Sequence, residues 1–518
     1  MNRAWLSFGL LGVSAAAGVI PLGCSSSPTQ EKKTLTAQDL RDPTSCQPCH
    51  AGHYSDWSKS MHAYASDDPV FLAMNARGQK DTNGALGSFC VQCHAPVALK
   101  DGLTHDGTNL ATVAKAEKGV TCFFCHSIDS VGASHVNADV TLASDLVLRG
   151  EIKKPQDNPA HASTYSAFQD DQQADSAQMC GSCHDIVSPA GGHIERTFHE
   201  WSASIFATSV TTCAFNGNCH MAASTSQIPI ASGGPPRIFH AHDFPAVDIA
   251  FDPAFPQTPA DQQTKVEASL ANVLTGALCV NARGGVRVIL DNNGAAHSWP
   301  SGAAQDRRAW VEVVASSGGT PFYRSGSVAP GTPVGSDPND KDLWLLRDQM
   351  FDSNGAPVDM FWQAACAGGN ELTAIANDDS TNQANYTHRT RLYPNTPNPG
   401  DSVLAQMPDQ VTATVHLQPI GLDVLADLAD SGLDPSVAAQ MPTLTVALPN
   451  ESDAGGGGTS LVWTPQTAVP GFMDQTQGQS TAMSCVTTPG FNVVAAAPTA
   501  ADPPAKCPAQ PAASDAGL

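Results

Sequence analysis

Basic residues are scarce in this chain of 518 residues. Lysine and arginine total 26 against 49 aspartates and glutamates, which gives a formal net charge of −23 at pH 7. Such a surface repels phosphate backbones, so the composition argues against a nucleic-acid partner. Long apolar runs are also scarce, because beyond the first residues no segment is long and apolar enough to cross a bilayer.

The N-terminal residues have the layout of an export signal. Arg3 precedes an apolar run from Ala4 to Ile20, and the string "VIPLGCSSS" completes the segment. The run is too short for a stable membrane span, so residues 1–23 are predicted to be a signal peptide. The end of this segment resembles the lipobox of bacterial lipoproteins, in which the cysteine, here Cys24, becomes lipidated. We therefore expect an exported protein with a lipid anchor at the outer membrane, on its periplasmic or cell-surface face. Plain secretion without lipidation is the alternative.

The spacing of the cysteines indicates that most of them do not form disulfides. Fifteen cysteines in an exported chain ordinarily indicate disulfides, yet ten of these lie between Cys46 and Cys219. The pattern Cys-x-x-Cys-His recurs there at Cys46, Cys49 and His50, at Cys90, Cys93 and His94, at Cys122, Cys125 and His126, and at Cys180, Cys183 and His184.

This pattern is the attachment signature of c-type haem. Two thiols bond to the two vinyl groups of one haem, and the adjacent imidazole becomes the proximal ligand of the iron. Zinc also uses Cys-x-x-Cys pairs, but it has no reason to require a histidine after each pair. A thioredoxin-like redox pair would not occur four times. The sequence therefore predicts four covalently bound haems c.

A fifth motif is less regular. In "TTCAFNGNCHMA", five residues separate Cys213 from Cys219, and His220 follows the second cysteine. One interpretation is a small disulfide loop around an Asn-Gly turn, with His220 incidental. The other is a fifth haem, because a histidine again follows the second cysteine and Met221 continues a "CHM" string common in multihaem chains. We expect the fifth haem.

Four strings between residues 44 and 244 carry a family resemblance: "CQPCHAGHYSDWSKSMHA", "GVTCFFCHSI", "NPAHASTYSAFQDDQQADSAQMCGSCHDI" and "TFHEWSAS". The segment resembles multihaem cytochromes c related to the tetrahaem electron acceptors of hydroxylamine oxidoreductase, the cytochrome c-554-like proteins. The resemblance implies a mainly α, loop-rich haem domain and redox partner proteins, either other cytochromes or a reductase or oxidase.

The resemblance also implies distal iron ligands. By match to the family, these are His62, His161, at least one of His240 and His242, and His297. Methionine is the other common sixth ligand, but the surplus of histidines favours bis-histidine haems of low potential. A haem without a sixth protein ligand would instead admit substrate.

The second half of the chain changes character. Residues 245–264 are rich in proline, an amphipathic helix is predicted from Lys265 to Leu278, and alternating runs begin at Val286, Ala309, Thr320 and Gln410. The whole chain is therefore predicted to be an α+β multidomain protein, with an antiparallel β-sandwich after the haem domain. The expected parts are a signal peptide (1–23), a linker (24–43), the multihaem domain (44–244), a connector (245–264), the β-sandwich-like domain (265–450) and a partly disordered tail (451–518).

Apart from Cys24, four cysteines remain outside the haem motifs. Cys279, Cys366, Cys485 and Cys507 are even in number and could form two disulfides, whose pairing the sequence leaves open.

The predicted function is a relay of single electrons through closely spaced haems, so an electron-transfer protein is favoured over an enzyme without deciding the question. One alternative is a multihaem reductase of a small nitrogen or sulfur oxyanion with one open haem. The absence of a Cys-x-x-Cys-Lys motif, typical of pentahaem nitrite reductases, disfavours it. Another alternative is an interaction component of a surface electron conduit.

Overall fold

The computed structural model describes residues 34–215, 219–378, 383–385, 389–397, 399–453, 458–474 and 481–491. The predicted signal peptide, its lipidation residue Cys24 and the C-terminal Cys507 lie outside these ranges. Within the described ranges, no helix has both the length and the apolar character needed to cross a membrane.

The helices are short. The α-helices are α1 (Ala37–Arg41), α2 (Ala51–Trp57), α3 (Met61–Tyr64), α4 (Pro69–Asp81), α5 (Val91–His94), α6 (Pro96–Lys100), α7 (Cys122–Ser127), α8 (Ala174–Gly181), α9 (Thr197–Ser202), α10 (Ile205–Thr208), α11 (Pro259–Leu270), α12 (Leu422–Asp427) and α13 (Pro435–Gln440). Turns of 3-10 helix cover Pro43–Ser45, Leu110–Thr112, Lys115–Glu117, Ala167–Gln169, Phe361–Gln363, Pro399–Asp401, Ala429–Ser431 and Glu451–Asp453.

The strands of the first half are also short, and those of the second half are longer. They are β1 (Ile128–Val131), β2 (Val140–Leu142), β3 (Leu148–Gly150), β4 (Ser163–Tyr165), β5 (Ile186–Val187), β6 (His193–Glu195), β7 (Ile228–Pro229), β8 (Pro236–Arg237), β9 (Leu274–Asn281), β10 (Val286–Asn292), β11 (Arg308–Ser317), β12 (Thr320–Ser325), β13 (Trp344–Leu346), β14 (Asp348–Phe351), β15 (Pro357–Val358), β16 (Cys366–Gly369), β17 (Ala376–Asp378), β18 (Gln383–Asn385), β19 (Arg389–Tyr393), β20 (Gln410–Gln418), β21 (Leu444–Val446), β22 (Leu461–Trp463), β23 (Val469–Asp474) and β24 (Thr481–Thr487).

The first half is helical and rich in loops, with β1 to β8 paired as small two-stranded sheets. Its apolar side chains form small clusters, one around Phe123 and Phe124 and another around Phe71, Val91 and Leu110. The longest helix of this half, α4, begins where the Asp68 side chain accepts a hydrogen bond from the backbone N–H of Val70, with Pro69 at the first helical position. Because the helices of this half are short, the regular cysteine motifs lie on single helical turns or at the ends of short helices.

Two antiparallel sheets dominate the second half. One has the strand order β19-β10-β9-β24-β23, and the other has β12-β11-β20-β21 as its main path. Apolar side chains from both sheets join one hydrophobic cluster, to which β10 contributes Val288 and β11 contributes Val311. Strand β10 is buried throughout, because a second cluster that includes Ile289 covers its other face. One disulfide joins Cys279 of β9 to Cys485 of β24.

The boundaries of the second half differ from the sequence expectation. The predicted helix from Lys265 to Leu278 lies earlier, at Pro259–Leu270, because Thr258 caps its start and Leu274 already begins a buried strand. The two-sheet unit also extends past residue 450, since β24 pairs with β9 inside the five-stranded sheet. The predicted tail therefore contributes strands to the core, because the Cys279–Cys485 disulfide and the apolar alternation around Met483 bury β24.

The two halves pack against each other through α4. Val70 and Met74 of this helix join a hydrophobic cluster with Trp362, Leu425 and Val437 of the second half. Because α4 leads directly to the cysteine motif that begins at residue 90, this contact links the two-sheet unit to the candidate site.

Candidate functional site

Each cysteine motif forms one turn that brings its histidine back over the first cysteine. The backbone N–H of His50 donates to the carbonyl of Cys46 at 2.8 Å, and the same bond joins His184 to Cys180 at 3.1 Å. The longer fifth motif closes in the same way, because the N–H of His220 donates to the carbonyl of Cys213 at 3.1 Å. In the fifth motif, as in the regular ones, the backbone of the histidine therefore returns to the first cysteine.

Four of the five motif histidines lie opposite a second imidazole. The ring centroids are 6.3 Å apart for His50 and His161, 6.3 Å for His184 and His62, 6.5 Å for His126 and His242, and 6.3 Å for His220 and His297.

This separation fits an iron held between two imidazoles. An imidazole nitrogen bonds a transition metal at about 2.0–2.1 Å, so two imidazoles on opposite sides of one metal ion place their ring centroids about 6 Å apart. Direct ring packing would be closer, as in the centroid distance of 4.1 Å between His94 and Phe71. The residues present therefore fit the group that the sequence signature implies.

The hydrogen bonds of the rings leave the correct nitrogen for a metal. Nδ1 of each of four motif histidines contacts a backbone carbonyl oxygen: His50 with Ile230, His94 with Ala65, His126 with Arg149 and His220 with Pro245. Nδ1 of His242 and Nδ1 of His297 likewise contact the carbonyls of His240 and Ser298, both at 2.8 Å. A ring that donates from Nδ1 has Nε2 free to bind a metal, which is the usual arrangement of metal-bound histidines.

Burial keeps three of the facing imidazoles, those of His62, His242 and His297, uncharged. Burial and the neighbouring His184 lower the pKa of His62 to about 3. Burial likewise lowers the pKa of His242 and of His297 to about 4. Only a neutral imidazole can donate a lone pair, so these rings are available as ligands at neutral pH.

His184 has a different partner from the other motif histidines. Its Nδ1 lies 3.3 Å from a carboxylate oxygen of Glu195 on β6. Burial alone would lower the pKa of His184, but the hydrogen bond and negative charge of Glu195 raise it to about 9. The sequence analysis did not identify Glu195, because its position eleven residues after His184 belongs to no recognisable motif.

His94 also stands apart. Phe71 stacks on its ring with an interplanar angle of 4°, and among the described residues no ring contact joins His94 to another imidazole. The second motif therefore differs from the other four in lacking a facing histidine within the described part of the chain.

The structure separates the two histidines that the sequence left as alternatives. His242 lies opposite His126, whereas Nε2 of His240 lies 3.5 Å from a carboxylate oxygen of Glu151. Among the described residues, the ring of His240 makes no ring contact with a motif histidine, and its backbone carbonyl oxygen contacts Nδ1 of His242. The sequence could not separate the two, since they are only two residues apart.

Cysteines of different motifs lie close to one another. The thiol of Cys122 is within hydrogen-bonding reach of Cys46, that of Cys93 is within reach of Cys183, and that of Cys180 is within reach of Cys213. The first motif is therefore close to the third, and the fourth motif is close to both the second and the fifth.

The second half contributes directly to the attachment sites. The carboxylate of Glu200 on α9 accepts hydrogen bonds from the backbone N–H of Ser298 at 2.9 Å and from the hydroxyl of Ser301 at 2.7 Å. These bonds fix the loop that carries His297, so the ring opposite His220 comes from the two-sheet half.

Two comparisons with known proteins found similar proteins. The family model of cytochrome c554 and c-prime matches residues 45–127. The solved structure of a penta-heme cytochrome c552 from Thermochromatium tepidum is similar over 79% of this chain and 98% of that chain, with 17% identity and a TM-score of 0.51. At that identity the likeness concerns the fold alone. No curated protein matches the chain.

Proposed function

We propose that the chain is a multihaem c-type cytochrome related to the cytochrome c554 and c-prime family, and that it is an exported pentahaem protein that relays single electrons. The observation that carries this proposal is the set of four imidazole pairs with centroids 6.3–6.5 Å apart. Haem, when bound, supplies a one-electron couple whose potential is set by its axial ligands and surroundings.

The chain's own residues have distinct roles in this proposal. The ten motif cysteines would anchor the five haems, and the motif histidines would each supply one imidazole to a haem iron. His161, His62, His242 and His297 would each supply a second imidazole, which favours electron transfer over substrate binding. The carbonyl oxygens at Nδ1 fix each ring's orientation and strengthen its donation to the metal.

The contacts between motifs support a route for electrons through the protein. Cys46 with Cys122 and Cys180 with Cys213 bring attachment sites one and three, and sites four and five, together in pairs. Burial and the charges on Cys180 and Cys183 raise the pKa of Cys125, which indicates that the third motif lies near the fourth. Electrons can therefore pass between neighbours without leaving the protein.

The second half of the chain is proposed to be a β-sandwich that completes the relay. It carries His297 to the fifth site and shares the α4 contact near the second. We further propose that Cys24 is lipidated at the outer membrane, which would hold the relay beside other redox proteins. Its partners would be cytochromes, reductases or oxidases.

An intact-mass measurement of the purified mature protein, combined with low-temperature EPR, tests this function. We expect the mass of five covalently bound haems and low-spin signals from at least four of them. A mass increment of four haems would reject the assignment of Cys213, Cys219 and His220. High-spin signals from most haems would reject bis-histidine ligation.

A reductase of a small nitrogen or sulfur oxyanion is the second candidate, favoured by His94. Among the described residues no second imidazole faces this ring, so an iron bound there would keep a position open to an external ligand. Nitrite or hydroxylamine should then shift one high-spin EPR signal of the oxidised protein. If neither nitrite nor hydroxylamine changes any EPR signal, and no turnover occurs with a reduced dye, the reductase candidate is rejected and the electron-relay proposal stands.

A further inference from the structure

A cluster of three side chains outside the five attachment sites has the composition of a metal site. Glu151 follows strand β3, Asp171 follows the 3-10 turn Ala167–Gln169, and His240 lies beyond β8. One ligand atom from each lies within 4.8 Å of the others. Three separate segments of the chain thus bring two carboxylates and one imidazole to the same point.

The distances suit ligands of one cation better than a direct hydrogen bond. Nε2 of His240 and Oε2 of Glu151 are 3.5 Å apart, which exceeds the roughly 2.7–3.2 Å of a good hydrogen bond. Two ligands of a tetrahedral metal ion with bonds of about 2.0–2.1 Å lie about 3.4 Å apart. The pair therefore has the spacing of two corners of a coordination tetrahedron.

The burial and the charge of these side chains also favour a bound cation. Asp171 is only 6% exposed, and the side chain of His240 is only 13% exposed. Two carboxylates held this close repel each other, and a divalent cation would remove that repulsion while keeping both ionised.

We propose that Glu151, Asp171 and His240 bind one divalent transition-metal cation of the zinc class. Carboxylate and imidazole ligands together suit zinc and its first-row neighbours, whereas calcium and magnesium prefer oxygen ligands alone. The fourth position would be taken by water, as in zinc sites with three protein ligands.

The position of this site connects it to one pair of facing imidazoles. The carbonyl of His240 accepts from His242, and the carbonyl of Arg149, two residues before Glu151, accepts from His126. The cation would therefore fix the segments behind both rings of the third attachment site. If the proposed electron relay is correct, its positive charge would also raise the potential of the haem held there.

The test uses the full holoprotein, treated with chelator and then dialysed against zinc chloride, with bound zinc measured by mass spectrometry of the metals. We expect one tightly bound zinc per chain in addition to the haem iron. Asp171→Asn and His240→Ala should each weaken zinc binding at least tenfold. His416→Ala is the matched control, because His416 pairs with Glu312 at 3.1 Å outside any such cluster.

The outcomes separate the zinc site from the haem assignments. Absence of bound zinc in the parent protein, or equal zinc binding by all three variants, overturns the proposal. Haem content is read from the same samples, so a failure of the fifth haem would not affect the result. If His240→Ala does not fold, the milder Glu151→Gln takes its place and must lose zinc for the proposal to stand.

Discussion

At the fourth attachment site, Nδ1 of His184 lies 3.3 Å from a carboxylate oxygen of Glu195. The other four motif histidines contact backbone carbonyl oxygens instead. An imidazole that is hydrogen-bonded to a carboxylate donates its electron pair to a metal more strongly than one that is hydrogen-bonded to a neutral carbonyl. The fourth site also contacts the second and the fifth through its cysteines. The histidine with the carboxylate partner therefore belongs to the motif that contacts two others.

We expect Glu195→Gln to raise the reduction potential of one haem. The amide removes a negative charge and weakens donation by His184, which stabilises the reduced iron. The shift should reach about 60 mV, equivalent to a tenfold change in a one-electron equilibrium. Spectroelectrochemical titration measures it. Glu312→Gln is the control, since Glu312 contacts His416 far from any cysteine motif, and an equal shift in both variants would contradict the prediction.

His297→Ala should remove the sixth ligand at the fifth attachment site. Its ring lies 6.3 Å from that of His220, and Ala cannot replace it. One low-spin EPR signal should be lost and one high-spin signal should appear, while covalent haem content stays the same. His416→Ala should leave the spectrum unchanged. An unchanged spectrum in His297→Ala would mean that another residue ligates the iron.

Gly119→Ala should disturb the fourth site by displacing His62. Gly119 has φ +71°, and a Cβ there would lie 2.6 Å from the carbonyl oxygen of His62 and 2.9 Å from that of Ala63. An L side chain is strained at this φ and clashes with the backbone that carries the facing ring. A weakened low-spin signal and a lower melting temperature are expected. Gly84→Ala is the control, because Gly84 has φ +82° but open space at its Cβ.

Cys279→Ser with Cys485→Ser should destabilise the two-sheet half. The two cysteines pair directly across β9 and β24 and lie 206 residues apart, so their bond restricts a large loop of the unfolded chain. Loss of such a bond costs about 3–5 kcal/mol of the free energy of unfolding. Urea unfolding followed by circular dichroism measures the loss. An unchanged midpoint would show that packing alone holds β24.

Local patterns in the sequence were sufficient to propose the attachment motifs. A cysteine pair followed by histidine reports a covalent chemistry that needs only one helical turn, as the bond from His50 to Cys46 shows. The runs that begin at Val286, Ala309, Thr320 and Gln410 were likewise found as strands. The tail was misjudged, because the burial of β24 depends on its long-range pairing with β9.

The sequence by itself determined which residues can attach haem, because that chemistry requires neighbouring residues with fixed spacing. The tertiary structure decided which rings face each other, since His62 and His184 or His220 and His297 are far apart in the chain. It also selected His242 over His240 at the third site, and it brought His240 to Glu151 and Asp171. These pairings arise from packing between distant segments, which local sequence spacing does not encode.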